Sequence, residues 1–149
     1  MVALLALFPL HVLSQGDSTV VRVVRVVDGD TIEICCLAGL PEGIRYIGIN
    51  APETHQATKG AEAYAKEAAE ANAKLVAGKL VRLEFDERYR DRDGRILAYV
   101  YLKGGTFVNA WLVEQGYAQM TVMPPNVKHQ ELFLKLQREA REAGRGLWK

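Results

Sequence analysis

The sequence is poor in the residues that several familiar enzyme chemistries require. Its only two serines, Ser14 and Ser18, lie close to the N-terminus, so a serine hydrolase would lack a nucleophile in the rest of the chain. It contains no glycine-rich Walker loop and no HExxH zinc motif. The two cysteines, Cys35 and Cys36, are adjacent, which excludes a CxxC motif, and we expect two buried thiols. Carboxylates and arginines remain as the candidate reactive groups.

The chain also lacks a strong net charge, because 19 Lys and Arg residues face 18 Asp and Glu residues. This balance hides a gradient: residues 16–56 carry twice as many acidic as basic side chains, and residues 128–149 show the reverse ratio. Such a gradient fits a cation site beside an anion-binding face, or ordinary solvated charge. The length of 149 residues, with 49% apolar and 25% charged side chains, predicts one globular domain.

No apolar run is long enough to cross a bilayer. Residues 2–13 are apolar and lead into Ser14, as at the cleavage site of a secretory signal peptide, although the usual basic start is missing. We therefore expect residues 1–16 to be a signal peptide and residues 17–149 to form the domain. The alternative for residues 1–16 is an extra apolar helix packed on the domain. A signal peptide would make the protein secreted or periplasmic, with no membrane contact in its mature form.

Hydrophobic periodicity and turn residues predict five strands and three helices. The expected strands cover residues 19–27, 31–37, 44–49, 80–85 and 96–102, and the expected helices cover 59–77, 107–115 and a segment capped by Asn126. The order is three strands, one helix, two strands and two helices, which is that of an OB-type barrel. The sequence thus predicts a mainly β, α+β fold: a five-stranded OB-type barrel with three helices.

Two carboxylates flank a glycine in the turn Asp28-Gly29-Asp30. Hard cations such as calcium bind oxygen ligands of this kind. Asp-Gly is also an ordinary hairpin turn, so the pair alone does not establish a cation site.

Two arginines and a glutamate lie at or near the ends of predicted strands. Arg45 lies within the third strand, either on the solvent face or held inward against an anion. Glu53 follows the same strand beyond a proline, where it could pair with Arg45 or act as a base beside an anion clamp. Arg95 begins a later strand, directly after Asp93-Gly94.

Five strings, in this order, resemble the staphylococcal nuclease-like (thermonuclease) domain family. They are VVDGDTI (26–32), IRYIGINAPET (44–54), DRDGRILAYVY (91–101), VNAWLVEQGYA (108–118) and GLW (146–148). The resemblance covers residues 20–148 and implies an OB barrel with three helices. It also implies hydrolysis of phosphodiester bonds in DNA and RNA with calcium, leaving 3′-phosphate ends.

The resemblance implies a role for each matching residue. Arg45 and Arg95 match the family's phosphate-binding arginines, and Glu53 matches its catalytic glutamate. Asp30 matches the metal-binding aspartate, with Asp28 as a nearby carboxylate.

One departure from the family affects the metal site. Asn50 and Ala51 stand where the family has Asp-Thr before Pro-Glu. The Asn50 amide oxygen and the Ala51 backbone carbonyl remain candidate metal ligands beside Asp30. Because one negative charge is lost, calcium should bind more weakly, or another divalent cation should be preferred.

A second departure affects substrate binding. Asp93 and residues 121–123 stand where the family's type member has tyrosines that line the nucleotide pocket. Stacking on an aromatic ring contributes about 1–3 kcal/mol per base, so base preference does not transfer. Arg92 and Tyr117 are our candidate substrate-binding residues.

Two functions of different class follow from these observations. One is a metal-dependent nuclease, expected to be monomeric, that acts on DNA, RNA or both. The other is a noncatalytic OB-type module that binds nucleic acid or protein. Retention of Arg45, Glu53 and Arg95 together favours the enzyme.

Overall fold

The computed structural model describes residues 18–54 and 63–149. The signal peptide expected at residues 1–16 and the beginning of the predicted first helix lie outside these described residues. No helix in the described part of the chain is both long enough and apolar enough to cross a membrane.

Seven strands are present in the described ranges. They are β1 (Ser18–Asp28), β2 (Thr31–Leu37), β3 (Leu40–Tyr46), β4 (Ile49–Asn50), β5 (Leu80–Glu84), β6 (Ile96–Leu102) and β7 (Gln119–Met120). Five of them close into a barrel in the order β1-β2-β3-β6-β5, and β4 pairs with β7 in a small separate sheet. Barrel neighbours are antiparallel except β3 and β6, which run parallel. The predicted five-stranded OB-type barrel is confirmed.

Three helices pack around the barrel. They are α1 (Ala65–Val76), α2 (Val108–Glu114) and α3 (Gln130–Glu142), followed by a short 3-10 helix at Gly146–Trp148. The inward side chains of the strands are largely Val, Ile and Leu, and they fill the barrel core with a few aromatic rings. Burial of these side chains is the main force that closes the barrel. The helix α1 adds small side chains, including Ala68 and Ala71, which let it lie close to the strands.

The third strand differs from its predicted bounds. A two-residue turn at Ala38 and Gly39, both with positive φ, starts β3 earlier than expected. The strand then ends at Tyr46, and the chain turns before resuming as β4. Gly48, in this turn, has a φ of 78°, and a Cβ there would lie 2.6 Å from the Phe133 ring, so the turn needs a glycine where α3 packs against it.

Two further expectations are wrong. Asn126 does not cap α3, which begins at Gln130 after His129; its amide binds the backbone of Arg88 instead. Cys35 and Cys36 are not buried thiols, since they form a disulfide, with Cys35 exposed and Cys36 half-buried. The disulfide lies where the β2–β3 pairing changes register, so these side chains leave the regular inward alternation.

Candidate active site

The buried carboxylate of Asp30 lies in the turn between β1 and β2. Asp30 is only 4% exposed, so its charge needs hydrogen-bond donors. The Thr31 hydroxyl donates to Oδ1 over 2.7 Å, and the backbone N–H of Ala51 donates to Oδ2 over 2.7 Å. These bonds fix the carboxylate against the chain segment that follows β4.

A close approach of α1 makes glycine necessary in this turn. A Cβ built on Gly29 would lie 2.8 Å from the Cβ atoms of both Ala51 and Ala68. Real Cβ atoms do not approach so closely, so any larger residue would push α1 or the Ala51 segment away. The small side chains on either side of Gly29 thus hold the turn that carries Asp30.

Asn72 of α1, which is not among the residues predicted from the sequence, supports the same turn. Its side chain is 0% exposed. The amide Nδ2 donates to the Asp28 carbonyl over 2.9 Å, and Oδ1 accepts from the Tyr46 hydroxyl over 2.8 Å. A lone asparagine on the alanine-rich buried face of a helix is the sequence signal that could have identified it, because buried amides need partners.

Asp28 acts on the loop after β4. Its Oδ1 accepts from the Thr54 backbone N–H over 2.9 Å and also from the Thr54 hydroxyl. Asp28 therefore anchors the residue that follows Glu53, which restricts where Glu53 can lie.

Arg45 is held inward against an anion, which resolves the alternatives left open by its position in the strand. It is the β3 partner of Thr31, so it begins beside Asp30, and it is only 9% exposed. Its Nη2 lies 3.5 Å from Asp30 Oδ2, and Nη1 donates to the Tyr46 carbonyl over 2.8 Å. Nη2 also donates to Asn50 Oδ1 over 3.2 Å.

The electrostatic environment of Arg45 connects it with the other candidate residues. Burial is the largest effect and lowers the pKa of Arg45, whereas the charge of Asp30 raises that pKa. The charge of Arg95 lowers the pKa of Arg45 further, and the charges of Asp91 and Glu53 raise it. The charges of both Arg95 and the exposed Glu53 therefore act on the guanidinium of Arg45.

The parallel pairing of β3 and β6 positions Arg95 beside the strand that carries Arg45. Ile44 is the partner of Ile96, which brings Gly43 beside Arg95. A Cβ on Gly43 would lie 3.4 Å from Arg95 Cγ, so the glycine gives the side chain room to pass over β3. Arg95 Nε donates to Asp91 Oδ2 over 2.8 Å, and the side chain remains 35% exposed.

A cleft of about 460 Å³ opens over the two arginines. Its described lining includes four arginines (Arg45, Arg88, Arg92 and Arg95) and two aspartates (Asp91 and Asp93). Guanidinium groups bind phosphate oxygens in a planar, bidentate geometry, so the cleft is suited to a phosphate-like anion.

The structure brings most, but not all, of the predicted site residues together. Asp30, Arg45 and Asn50 form one contact group, and Arg92 lines the same cleft as Arg45 and Arg95. Glu53 is exposed just beyond Ala51.

Tyr117, one of the two candidate substrate-binding residues, is not among the described residues that line this cleft. Its ring stacks between Tyr64 and Trp111, with centroids 5.7 and 5.8 Å away. The backbone N–H of Tyr117 donates to the Leu112 carbonyl as α2 ends. Packing at the end of α2 thus directs the ring towards α1.

The oxygen donors near Asp30 are chemically suited to a hard divalent cation. A carboxylate from Asp30, an amide oxygen from Asn50 and backbone carbonyls are the ligand types that calcium takes. In the part of the chain that the structure describes, no three His, Cys, Asp or Glu side chains cluster as metal ligands. The donor set fits calcium in kind, with few formal negative charges.

The structure thus shows an OB-type barrel protein with an arginine-lined cleft beside a buried carboxylate. Residues 43–149 match the family model described as staphylococcal nuclease homologue. The thermonuclease of Staphylococcus hyicus is 36% identical over 136 residues, which covers 91% of this chain and 79% of that protein. The thermonuclease of Staphylococcus intermedius is 37% identical over 134 residues, covering 90% of this chain and 77% of that protein.

A third relative is endonuclease YncB of Bacillus subtilis, 33% identical over 140 residues, which covers 93% of this chain and 65% of that protein. The chain therefore belongs to the staphylococcal nuclease family. It is an enzyme, a nuclease of the hydrolase class.

Proposed function

We propose that this protein is a metal-dependent nuclease that hydrolyses phosphodiester bonds of DNA, RNA or both. Arg45, Glu53 and Arg95 are its proposed catalytic residues. The observation that carries the proposal is the meeting of Arg45 and Arg95, from the parallel strands β3 and β6, in one cleft beside the buried Asp30 carboxylate.

The two arginines bind the phosphate and stabilise the charge that develops on it. Negative charge increases on the equatorial oxygens in the transition state, and guanidinium donors aimed at those oxygens lower the barrier. A guanidinium has five N–H donors, and the bonds of Arg45 to Tyr46 and Asn50 leave donors for the substrate. Because Asp30 and Asp91 hold the arginines before substrate binds, little reorganisation is needed.

Glu53 orients the attacking water and accepts its proton. The water oxygen forms a new bond to phosphorus while the bond to the 5′-oxygen breaks. The leaving 5′-oxygen takes up a proton from solvent, so the products are a 3′-phosphate end and a 5′-hydroxyl end. The anchoring of Thr54 by Asp28 supports this role, since it restricts the segment on which Glu53 lies.

Asp30, Asn50 and the Ala51 carbonyl are the residues that would hold the divalent cation, with calcium as the first choice. When bound, the cation supplies Lewis-acid stabilisation of the phosphate charge. Asn50 contributes a neutral oxygen, so weaker calcium binding, or acceptance of another divalent cation, is part of the proposal.

Digestion assays test the proposal directly. Single-stranded DNA, duplex DNA and RNA are incubated with calcium, magnesium, manganese or EDTA, using the wild type, Arg45→Ala and Glu53→Gln. We expect cleavage by the wild type with a divalent cation and a loss of about 10²-fold or more in each variant. Glu142→Gln, an exposed change on α3, is the matched carboxylate control.

The products provide an independent readout. New 5′-hydroxyl ends accept label from polynucleotide kinase without phosphatase treatment, whereas 5′-phosphate ends do not. Equal activity in the wild type and both site variants would overturn the catalytic assignment. Salt-sensitive binding without cleavage under every metal would support the noncatalytic module instead.

Two further parts of the proposal concern the whole chain. Residues 1–16 act as a signal peptide for export of the domain at residues 17–149, and the mature enzyme is a monomer. N-terminal sequencing of the exported protein and sedimentation of the mature form are the corresponding measurements. An exported product that retains residues 1–16, or a concentration-independent dimer, would contradict them.

A further inference from the structure

The described charged side chains that line the arginine cleft are four arginines and two aspartates, so arginines predominate. Arg88 and Arg92 come from the segment before β6, and Met123 and Pro124, from the segment between β7 and α3, also line the cleft. Among the described residues that line the cleft, none is aromatic. Affinity for a nucleic acid without ring stacking depends mainly on contacts to its phosphates.

Asn126 connects the segment that carries Arg88 with the segment that carries Met123. It is only 3% exposed, and both polar atoms of its side chain bind the backbone of one residue. The Arg88 N–H donates to Asn126 Oδ1 over 2.7 Å, and Asn126 Nδ2 donates to the Arg88 carbonyl over 2.8 Å. The Asn126 backbone is in turn held by the Met123 carbonyl over 2.7 Å. The backbone of Arg88 is therefore fixed relative to Met123.

The arginines of the same segment have different environments. Arg90 is committed to Glu42, with bonds of 2.9 and 3.1 Å, and to the Gly94 carbonyl over 2.7 Å. Arg95 is held by Asp91. Within residues 18–54 and 63–149, the guanidinium groups of Arg88 and Arg92 make no ion pair, and of these two arginines Arg88 is the one whose backbone is bound by the Asn126 side chain. Arg88 thus has a backbone that is fixed at the cleft and a guanidinium that forms no ion pair with any described carboxylate.

We propose that Arg88 binds a second phosphate of the substrate strand, next to the one held by Arg45 and Arg95, and that Asn126 is the positioning residue for this contact. The inference rests on the proposed nuclease function and adds a specificity: the enzyme prefers a strand with consecutive phosphates to a substrate with a single phosphodiester. The contact selects for the backbone rather than for a base, because phosphates carry no sequence information.

Kinetics on two substrates test the role of Arg88. The first is a single-stranded oligonucleotide, and the second is the nitrophenyl ester of thymidine 5′-phosphate, which has one phosphodiester. We expect Arg88→Gln to raise KM for the oligonucleotide about fivefold, as for a lost surface ion pair, with kcat unchanged. The slope of log KM against log salt should fall by about 0.7, the value for one phosphate contact on a single strand. Kinetics on the ester should not change.

Arg138→Gln is the matched control, since Arg138 is an exposed arginine of α3 outside this cleft and the substitution changes net charge equally. The positioning role of Asn126 is tested by Asn126→Ala and by a double variant with Arg88→Gln. If Asn126 acts through Arg88, Asn126→Ala raises KM without lowering kcat, and adding Arg88→Gln has little further effect. Asn126→Asp, which keeps an acceptor for the Arg88 N–H, should recover part of the loss. Additive effects would overturn the positioning role.

Failure of this inference can be distinguished from failure of the proposed function. If Arg88→Gln behaves as Arg138→Gln while Arg45→Ala and Glu53→Gln are inactive, the second phosphate contact is wrong and the nuclease proposal stands. If the wild type cleaves nothing under any metal, the nuclease proposal fails. Fluorescence anisotropy with a labelled oligonucleotide at several salt concentrations then tests Arg88 alone, and an unchanged slope in Arg88→Gln would refute its contact. If Asn126→Ala does not fold, the Arg88→Gln comparison still decides the main claim.

Discussion

The guanidinium of Arg45 lies 3.5 Å from the carboxylate of Asp30, with side-chain exposures of only 10% and 6%. Removing two charges from water is costly, and buried pairs often contribute little to net stability. We therefore interpret the Arg45–Asp30 pair as a contact that fixes both side chains in position before substrate and metal bind. It holds the guanidinium of Arg45, a proposed phosphate-binding group, beside the carboxylate of Asp30, which is itself a proposed metal ligand.

Asp30→Asn tests this relationship. The variant removes the anion beside Arg45 and a charge from the proposed metal site, while keeping the shape of the side chain. We expect a loss of about 1–3 kcal/mol in the free energy of unfolding, because the buried guanidinium of Arg45 loses its anionic partner. We also expect activity to require more calcium. Urea unfolding without metal and a calcium titration of activity separate the two effects, and an unchanged result in both would refute the role assigned to Asp30.

A substitution at Asn50 is predicted to lower the calcium requirement instead of raising it. Asn50→Asp places a second negative charge near Asp30, while its oxygen can still accept from Arg45. We expect half-maximal activity at a calcium concentration lower by about tenfold, since a close charge pair near a protein surface gains more than 1 kcal/mol. Asn50→Ala should require more calcium than the wild type. Calorimetric calcium titrations give the same order without relying on activity, and identical affinities in all three proteins would exclude Asn50 as a ligand.

Much of the barrel could be predicted from local patterns. Alternating β-branched residues mark strands such as β1 and β2, because one face of each strand is buried. The two arginines were recognisable as candidates because their matching strings occur in the expected order. Their convergence depends on the parallel β3–β6 pairing, which no local pattern determines.

Residues whose role depends on distant partners could not be predicted in this way. The partner of Asn126 is Arg88, 38 positions earlier in the chain, so a helix cap was the simpler local interpretation. Tyr117 stacks against Tyr64 because the end of α2 packs on α1, and a loop tyrosine carries no sign of that contact. Side-chain amides and rings serve many partners, so their partners emerge only from the tertiary structure.

Gly29→Ala tests the tight packing that supports the turn of Asp30. The added methyl group would lie 2.8 Å from the Cβ atoms of Ala51 and Ala68. We expect a loss of about 1–3 kcal/mol in the free energy of unfolding from overpacking, together with lower activity because the turn moves. Adding Ala68→Gly removes the contact with the Ala68 Cβ and should restore part of the lost activity. Because glycine in a helix interior itself costs about 1 kcal/mol, the stability of the double variant is compared with that of Ala68→Gly alone. Urea unfolding and digestion assays check this, and wild-type stability in the Gly29→Ala variant would show that the turn has more room than the structure gives it.

Alkaline pH gives a test of the Tyr46–Asn72 bond that anchors the same turn. Burial raises the pKa of Tyr46, so in the folded protein its hydroxyl stays protonated at a pH where an unfolded tyrosine, with a pKa of about 10, ionises. Above about pH 10 the unfolded state binds fewer protons than the folded state, so stability falls as pH rises, by about 1.4 kcal/mol per pH unit for this one group. Burial also raises the pKa of Tyr101 to about 12, and the pKa of Tyr99 is raised as well, so the wild type loses stability through more than one tyrosine.

Tyr46→Phe isolates the contribution of Tyr46. Near neutral pH the variant should be less stable by about 1–3 kcal/mol, because Asn72 Oδ1 loses its buried donor. As the pH rises above about 10, its stability should fall less steeply than that of the wild type, by about 1.4 kcal/mol per pH unit, so the two curves converge. Urea unfolding at a series of alkaline pH values measures both curves. Parallel curves would mean that Tyr46 ionises equally in the folded and unfolded states, which is incompatible with a fully buried hydroxyl bound to Asn72.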